Sequence, residues 1–205
     1  MGQNTVSTVV DAYFSAIGGK SRVGQVESLY IITKTNYNSR ELVIHSKQKK
    51  ENKKSISIFR DSVFVSKKVF ANNEGFVQLG EVKKKYTKGQ MYALMSNVAI
   101  FPEYYYLDKA VYLGIVKVLD EKCHVLGLGD KRIYYSVASG LKIKAGTTKN
   151  LSGKRFKQET YYLDYKEVFG IKFPIVYKTI TSSVEMLYNV ISISINRDVS
   201  DADFE

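Results

Sequence analysis

The sequence predicts a mainly β protein: an open, highly curved antiparallel sheet, or incomplete β-barrel, with two helices covering its concave side. Three observations carry that expectation. From Val26 onward most runs alternate apolar and polar residues with period two, short turns rich in Asn, Asp and Gly join them, and helical spacing is confined to two short stretches. About eleven strands with two helices make such a sheet, since each apolar strand face needs a cover.

The first helix is expected after an N-cap at Asn4 or Thr5, because Val6, Val9, Val10, Tyr13, Phe14 and Ile17 recur at steps of three and four. Gly18-Gly19 then supplies a left-handed cap, so the helix ends there. Val26 to Tyr37 reads as a first long strand and Asn38-Ser39 as the turn into Glu41 to Lys49. The meander continues through Ser55 to Arg60, Val63 to Ala71 and Phe76 to Leu79, with turns at Asp61-Ser62 and Asn72 to Gly75. At Glu81 to Lys88 the alternation breaks. Met91, Leu94, Met95 and Val98 fall at helical spacing, which predicts a second helix, and Ile100 to Leu107 reads as an irregular apolar crossing.

Strands resume at Ala110 to Leu119, Cys123 to Leu128, Ile133 to Val137, Leu141 to Thr148, Arg155 to Tyr165, Ile171 to Thr179 and Met186 to Ile195. The corner from Tyr161 to Pro174 joins two strongly β-prone runs. Gly170 can take a positive φ there, and Pro174 removes a ladder donor, which confines it to an edge, a strand start or a bulge. Phe169, Ile171 and Phe173 are expected to fold back onto a core, and Asp164 is the carboxylate expected to be semi-buried.

At 205 residues the chain fits one domain, 1–205, with room for a real core. Hydrophobic residues make up 44% and prolines number two, which excludes a disordered or proline-rich linker. Sixteen tyrosines and no tryptophan suit half-buried sheet surfaces, where a ring packs while its hydroxyl reaches water. No apolar run approaches the roughly 20 residues of a helical membrane span. No secretory signal is visible at the N-terminus, and one is expected to have been removed.

The formal charge of +11 implies attraction to something anionic. Lysines supply most of it, at hairpin ends without interleaved stacking aromatics, so nucleic acid is not expected. Lys49, Lys50, Lys53, Lys54, Lys83, Lys84 and Lys85 read instead as a solvated basic rim that could meet an envelope protein or an anionic membrane surface. Two histidines and one cysteine are too few for a nitrogen and sulfur zinc site, so no metal or cofactor is expected. Cys123 and His124 are adjacent in a strand and point to opposite faces, and no nucleophile elbow, phosphate loop or dinucleotide turn occurs. No catalytic residue is assigned.

Several segments, taken in order, carry a family likeness. They are Tyr13-Phe14-Ser15-Ala16-Ile17-Gly18-Gly19 followed by Val26-Glu27-Ser28-Leu29, then Tyr134-Tyr135 with Ser139-Gly140-Leu141. The corner Asp164-Tyr165, Val168, Gly170-Ile171 and Pro174 follows, and Asn196 with Asp203-Phe204 completes the series. Together they resemble the LolA/LolB-like superfamily of outer-membrane lipoprotein-sorting proteins, in particular Bacteroidetes-type periplasmic members. Asn73-Glu74-Gly75-Phe76 stands in place of that family's glycine and tryptophan step. The resemblance implies a non-enzymatic periplasmic or outer-membrane-associated protein whose apolar barrel interior holds a lipid, lipoprotein acyl chains or another hydrophobic ligand. Candidate cavity residues from the alternation are Phe14, Tyr30, Ile32, Phe59, Phe64, Met91, Met95, Tyr112, Tyr134 and Tyr161. The alternative is an interaction module with a filled core that presents its lysine rim to a partner.

Overall fold

In a computed structural model, which describes residues 5–95, 98–151, 154–182 and 184–205, the alternating runs are strands. They are β1 (Ser28–Tyr37), β2 (Arg40–Lys49), β3 (Lys53–Arg60), β4 (Val63–Ala71), β5 (Glu74–Leu79), β6 (Val82–Lys85) and β7 (Val111–Val118). The series continues with β8 (Glu121–Leu128), β9 (Lys131–Ser136), β10 (Lys142–Leu151), β11 (Lys154–Val168), β12 (Ile171–Thr181) and β13 (Val184–Ile195). All thirteen belong to one antiparallel sheet in the order β6-β5-β4-β3-β2-β1-β13-β12-β11-β10-β9-β8-β7, which leaves β6 and β7 as free edges and does not close into a barrel. The helices are α1 (Val6–Ile17), α2 (Lys20–Gly24), α3 (Lys88–Met95) and α4 (Glu103–Lys109), and a single 3-10 turn spans Asp201–Phe204.

Local chemistry explains why the strands pair with their sequence neighbours. Asn38 and Ser39, Glu51 and Asn52, Asp61 and Ser62, Asn72 and Asn73, and Phe169 and Gly170 are consecutive pairs with positive φ. A two-residue loop with both φ positive matches the right-handed twist of its strands, and Asn and Asp tolerate that region best. The hairpins are therefore specified where they occur. Three elements differ from expectation, the first being the short helix α2 directly after the double glycine. The charged run near Glu81 pairs as β6, Phe76 opposite Lys85 and Leu79 opposite Val82. The crossing read as irregular contains α4, because Glu103 opens a helical turn whose buried face is Glu103 and Tyr106.

The chain divides into two compact units, each assembled from separated stretches: residues up to Val23 with Glu103–Tyr188, and Gly24–Pro102 with Asn189–Glu205. In the first unit α1 buries Val9, Val10, Tyr13, Phe14 and Ile17, the face its spacing predicts, and packs on α4 and β12. Thr5 caps it by accepting the Thr8 N–H at 3.3 Å, and the Gly19 N–H returns to the Phe14 carbonyl at 2.7 Å. A side chain at Gly18 is excluded twice: its φ is +126°, and a Cβ would lie 2.1 Å from the Gly170 carbonyl oxygen. Arg22 Nη1 donates to that oxygen at 3.0 Å, so helix end and hairpin corner are tied together.

The corner itself needs two corrections. Ile171 and Phe173 are buried at 2% and 5% exposure, but Phe169 is 71% exposed, because the left-handed turn it occupies aims it away from the sheet. Asp164 is likewise exposed and accepts its neighbour Tyr165's N–H at 2.8 Å. Pro174 stands opposite Tyr165 beside the two register shifts that flank Asp164, the irregular position that a residue without a donor requires.

Candidate ligand site

The second unit builds a concave site from strand register. Residues directly opposed in an antiparallel ladder share a face. Tyr30, Lys47, Ser55, Val69, Phe76 and Lys85 form one such row across six strands. Ile32, His45, Ser57, Lys67, Gln78 and Lys83 form the next. Phe59 and Phe64 stand opposite each other beyond them, where β4 carries a bulge. The face thus mixes aromatic and aliphatic side chains with serines and lysines along both rows.

The Asp201–Phe204 turn lies over this face. Phe204 is buried against Val69 and Phe76, with Ala71 and Val199 packed beside them. Lys47 Nζ donates to Asp203 at 2.6 Å, and Lys49 and Lys53 each donate to Asp201 at 3.0 Å. A cavity borders the turn on each side. One, of about 540 Å³, has Val69, Ala71, Phe76 and Phe204 as its apolar lining and Lys83, Lys85, Glu74, Glu205 and Asn72 as its polar one. The other, of about 280 Å³, is lined by Tyr30, Phe59 and Phe64 together with His45, Lys47 and Lys67, and reaches Ala202 and Asp203. The larger falls within the roughly 300–1,000 Å³ of small-molecule sites.

The electrostatics are mixed: Lys83 and Lys85 share the larger cavity with Glu74 and Glu205, and Lys47 and Lys67 share the smaller with Asp203. Burial and then the neighbouring Lys47 push the His45 imidazole below its ordinary range, so it stays neutral near pH 7, and Tyr30 Oη shares a 2.6 Å hydrogen bond with its Nδ1. Burial raises the Tyr30 hydroxyl, which therefore holds its proton and is no activated nucleophile. Burial lowers the Lys67 ammonium, the sign of a cation short of compensation, though it donates to the Glu205 carbonyl at 2.9 Å. Burial alone would raise the Asp203 carboxyl, but Lys47 and the Ser200 N–H outweigh it and hold it below the ordinary range.

Of the predicted cavity residues, Tyr30, Phe59 and Phe64 come together in the smaller cavity, and Ile32 stands on the same face opposite His45. The others lie elsewhere. Phe14 is fully buried in α1 with its ring 4.4 Å from Tyr104, and Met91 packs with Phe70 and Val98 on the opposite face of the second unit's sheet. Met95 is in α3, and its side chain lies outside the described residues. Tyr112 hydrogen-bonds His124 Nδ1 at 3.2 Å, while Tyr134 and Tyr161 flank the Lys144 ammonium that pairs with Glu159 at 2.5 Å. Val69, Phe76, Lys67 and the turn were missed as site residues, although Asp203-Phe204 stood out as a segment.

The basic rim is also redistributed. Lys49 and Lys53 are engaged by Asp201, and Lys50 pairs with Glu27. Lys83 lies 3.7 Å from the Phe76 ring centre, while Lys84 and Lys85 are exposed along the β6 edge. Lys54 is no rim residue. It stands opposite Gln48 and Phe70 on the other face, where burial of its ammonium lowers its pKa to about 8 even though its stem is only half-buried.

A second polar centre, in the first unit, had no counterpart in the sequence reading. Glu103, 1% exposed, accepts from Lys142 at 2.6 Å and from Tyr135 Oη at 3.3 Å. Tyr13 and Tyr162 place their rings 5.2 and 5.4 Å from the same ammonium. Burial alone would lower Lys142, but Glu103 and then the surrounding tyrosines outweigh it and hold it well above the ordinary range. The pair fastens α4 to β10 and has no cavity of its own among those described.

These features define an open antiparallel sheet protein with a mixed apolar and charged groove on one sheet face. Solved structures share this fold. A LolA superfamily protein from Nitrosomonas europaea superposes with a TM-score of 0.66 at 13% identity, covering 99% of this chain and 98% of that one. A putative outer membrane lipoprotein-sorting protein domain from Vibrio parahaemolyticus gives 0.63 at 10% identity, over 98% and 96%. A DUF1329 family protein from Desulfovibrio piger gives 0.62 at 14% identity, over 99% and 98%. No family model and no curated protein sequence matches the chain.

Proposed function

We propose that this protein is a non-enzymatic component of the cell envelope, periplasmic or outer-membrane-associated, that holds a lipid or lipoprotein acyl chain or another hydrophobic ligand. The observation that carries the reading is the cavity of about 540 Å³ with an apolar lining of Val69, Ala71, Phe76 and Phe204 and with Lys83 and Lys85 among its walls. An acyl chain is served by such a lining, and lysines suit the acid group that most acyl ligands carry. Likeness of fold to a LolA superfamily protein and to a lipoprotein-sorting domain supports the same class. No helix among the described residues is long and apolar enough to cross a membrane. The alternative, a rim that docks a partner, is not favoured, since Lys49, Lys50 and Lys53 are already paired within the chain.

The test is native mass spectrometry with lipid extraction of the purified protein, followed by titration with a fluorescent long-chain fatty acid. A co-purified lipid mass, or saturable fluorescence that unlabelled fatty acid displaces, is the expected result. Neither bound lipid nor a displaceable probe overturns the proposal.

A further inference from the structure

The Asp201–Phe204 turn reproduces the chemistry of the ligand just described. It offers carboxylates to Lys47, Lys49 and Lys53 and an aromatic side chain to the apolar surface of Val69 and Phe76. Both cavities end on it, one at Phe204 and Glu205, the other at Ala202 and Asp203. A four-residue 3-10 turn has no stability of its own, because so short a helix costs more to nucleate than its few bonds return. What holds it is one buried ring, three lysines and a capping box in which the Ser200 N–H donates to Asp203 at 2.8 Å, with Lys67 on the adjoining Glu205 carbonyl and with Asp201 and Ala202 exposed.

We propose that this turn is a displaceable internal occupant of a binding site for anionic amphiphiles. The site takes a molecule with one acidic headgroup and an apolar chain: the headgroup binds the lysines that now hold Asp201 and Asp203, and the chain lies where Phe204 sits. Lifting the turn joins the two cavities it separates into one groove along the sheet. The inference rests on the ligand-holding reading above and adds the headgroup charge and the gate. Because turn and ligand compete for the same cations and the same floor, apparent affinity equals intrinsic affinity multiplied by the fraction of molecules with the turn lifted.

The chain contains no tryptophan, so Phe204→Trp places a single reporter in the turn. Fluorescent fatty acid, unlabelled fatty acid, a lysophosphatidic acid and a fatty alcohol of equal chain length are titrated into that variant, the wild type, Asp203→Asn, Phe204→Ala and Lys47→Met. Both acidic amphiphiles are expected to shift the indole emission to the red, with the alcohol binding at least about tenfold more weakly. Asp203→Asn and Phe204→Ala are expected to tighten the probe by about tenfold, and Lys47→Met to weaken it. Circular dichroism checks that each variant retains its strands, and Asp203→Asn keeps the test alive if Phe204→Ala unfolds. Saturable probe binding with unchanged indole emission and unchanged affinity in both turn variants overturns the gate while leaving the carrier reading intact. Equal binding of acid and alcohol overturns the anionic headgroup. A red shift produced by a soluble acidic peptide and not by fatty acid assigns the groove to a protein partner and overturns the proposal. No binding in any variant overturns both readings together.

Discussion

At the scale of single residues, Gly18 and the Glu103–Lys142 pair carry the sharpest consequences. A Cβ at Gly18 meets a backbone oxygen at 2.1 Å and forces an L side chain to φ +126°, whereas Gly19, at φ +90°, has open space around it. Gly18→Ala is therefore expected to destabilise by about 2 kcal/mol or more and Gly19→Ala by about 1 kcal/mol, read from urea unfolding midpoints. The signal for Gly18 was in the sequence, since a double glycine after an amphipathic helix marks a cap. Its clash with Gly170 was not, because the two lie on different elements. Glu103→Ala leaves the enclosed Lys142 cation unpaired and is expected to cost about 3–5 kcal/mol, while Glu103→Leu with Lys142→Met together cost far less. Near-additivity of Glu103→Leu and Lys142→Met, made singly and together, would refute the coupling.

At the scale of elements, hairpins were legible because turn chemistry and strand alternation agree locally. Val63 to Ala71 forms β4 with the expected bounds, and Asn38-Ser39 and Asp61-Ser62 are two-residue loops with positive φ. Serine is the weaker choice in that region. Ser39→Gly, at φ +60°, is expected to stabilise by about 0.5–1 kcal/mol, an outcome that a change in the thermal midpoint decides. Helix α4 escaped because Phe101, Pro102 and three consecutive tyrosines read as an irregular crossing, and the buried Glu103 that opens it is made tolerable by Lys142, 39 residues away. Strand β6 escaped for a related reason: Lys83, Lys84 and Lys85 carry no alternation, yet an edge strand favours lysine, which protects its unpaired side.

At the scale of the whole molecule, ionisation links stability to pH in a definite direction. Lys54 titrates near 8 when folded against 10.5 for an ordinary lysine, so between those values the unfolded chain binds more protons and stability rises with pH. Burial raises Tyr13, Tyr106, Tyr135 and Tyr165 above their ordinary 10.0, so above pH 10 the folded chain keeps protons that the unfolded chain has lost, and stability falls. Burial also raises the Cys123 thiol from 9.0 to about 11, which cancels the Lys54 gain above pH 9, so the rise is expected to end at about pH 9, measured by urea unfolding across a pH series, with Lys54→Met removing the rise but not the fall. A profile already falling between pH 8 and 9 would contradict the assignment.

The sequence by itself determined that the chain is an open β-sheet of locally paired strands with an amphipathic helix at its head, since period, turns and caps are properties of neighbouring residues. The sheet's two meanders, β1 to β6 and β7 to β13, follow chain order for the same reason, and the adjacency of β1 to β13 is the one step that chain order does not supply. Only the tertiary structure decided which strand face is covered, because a period of two has two equivalent faces and nothing local chooses between them. It placed Tyr30, Phe59 and Phe64 together while sending Phe14 and Met91 into packed cores. It also seated Asp203 on Lys47, 156 positions apart, a meeting of charge and apolar surface that exists only once register has aligned the rows beneath the turn.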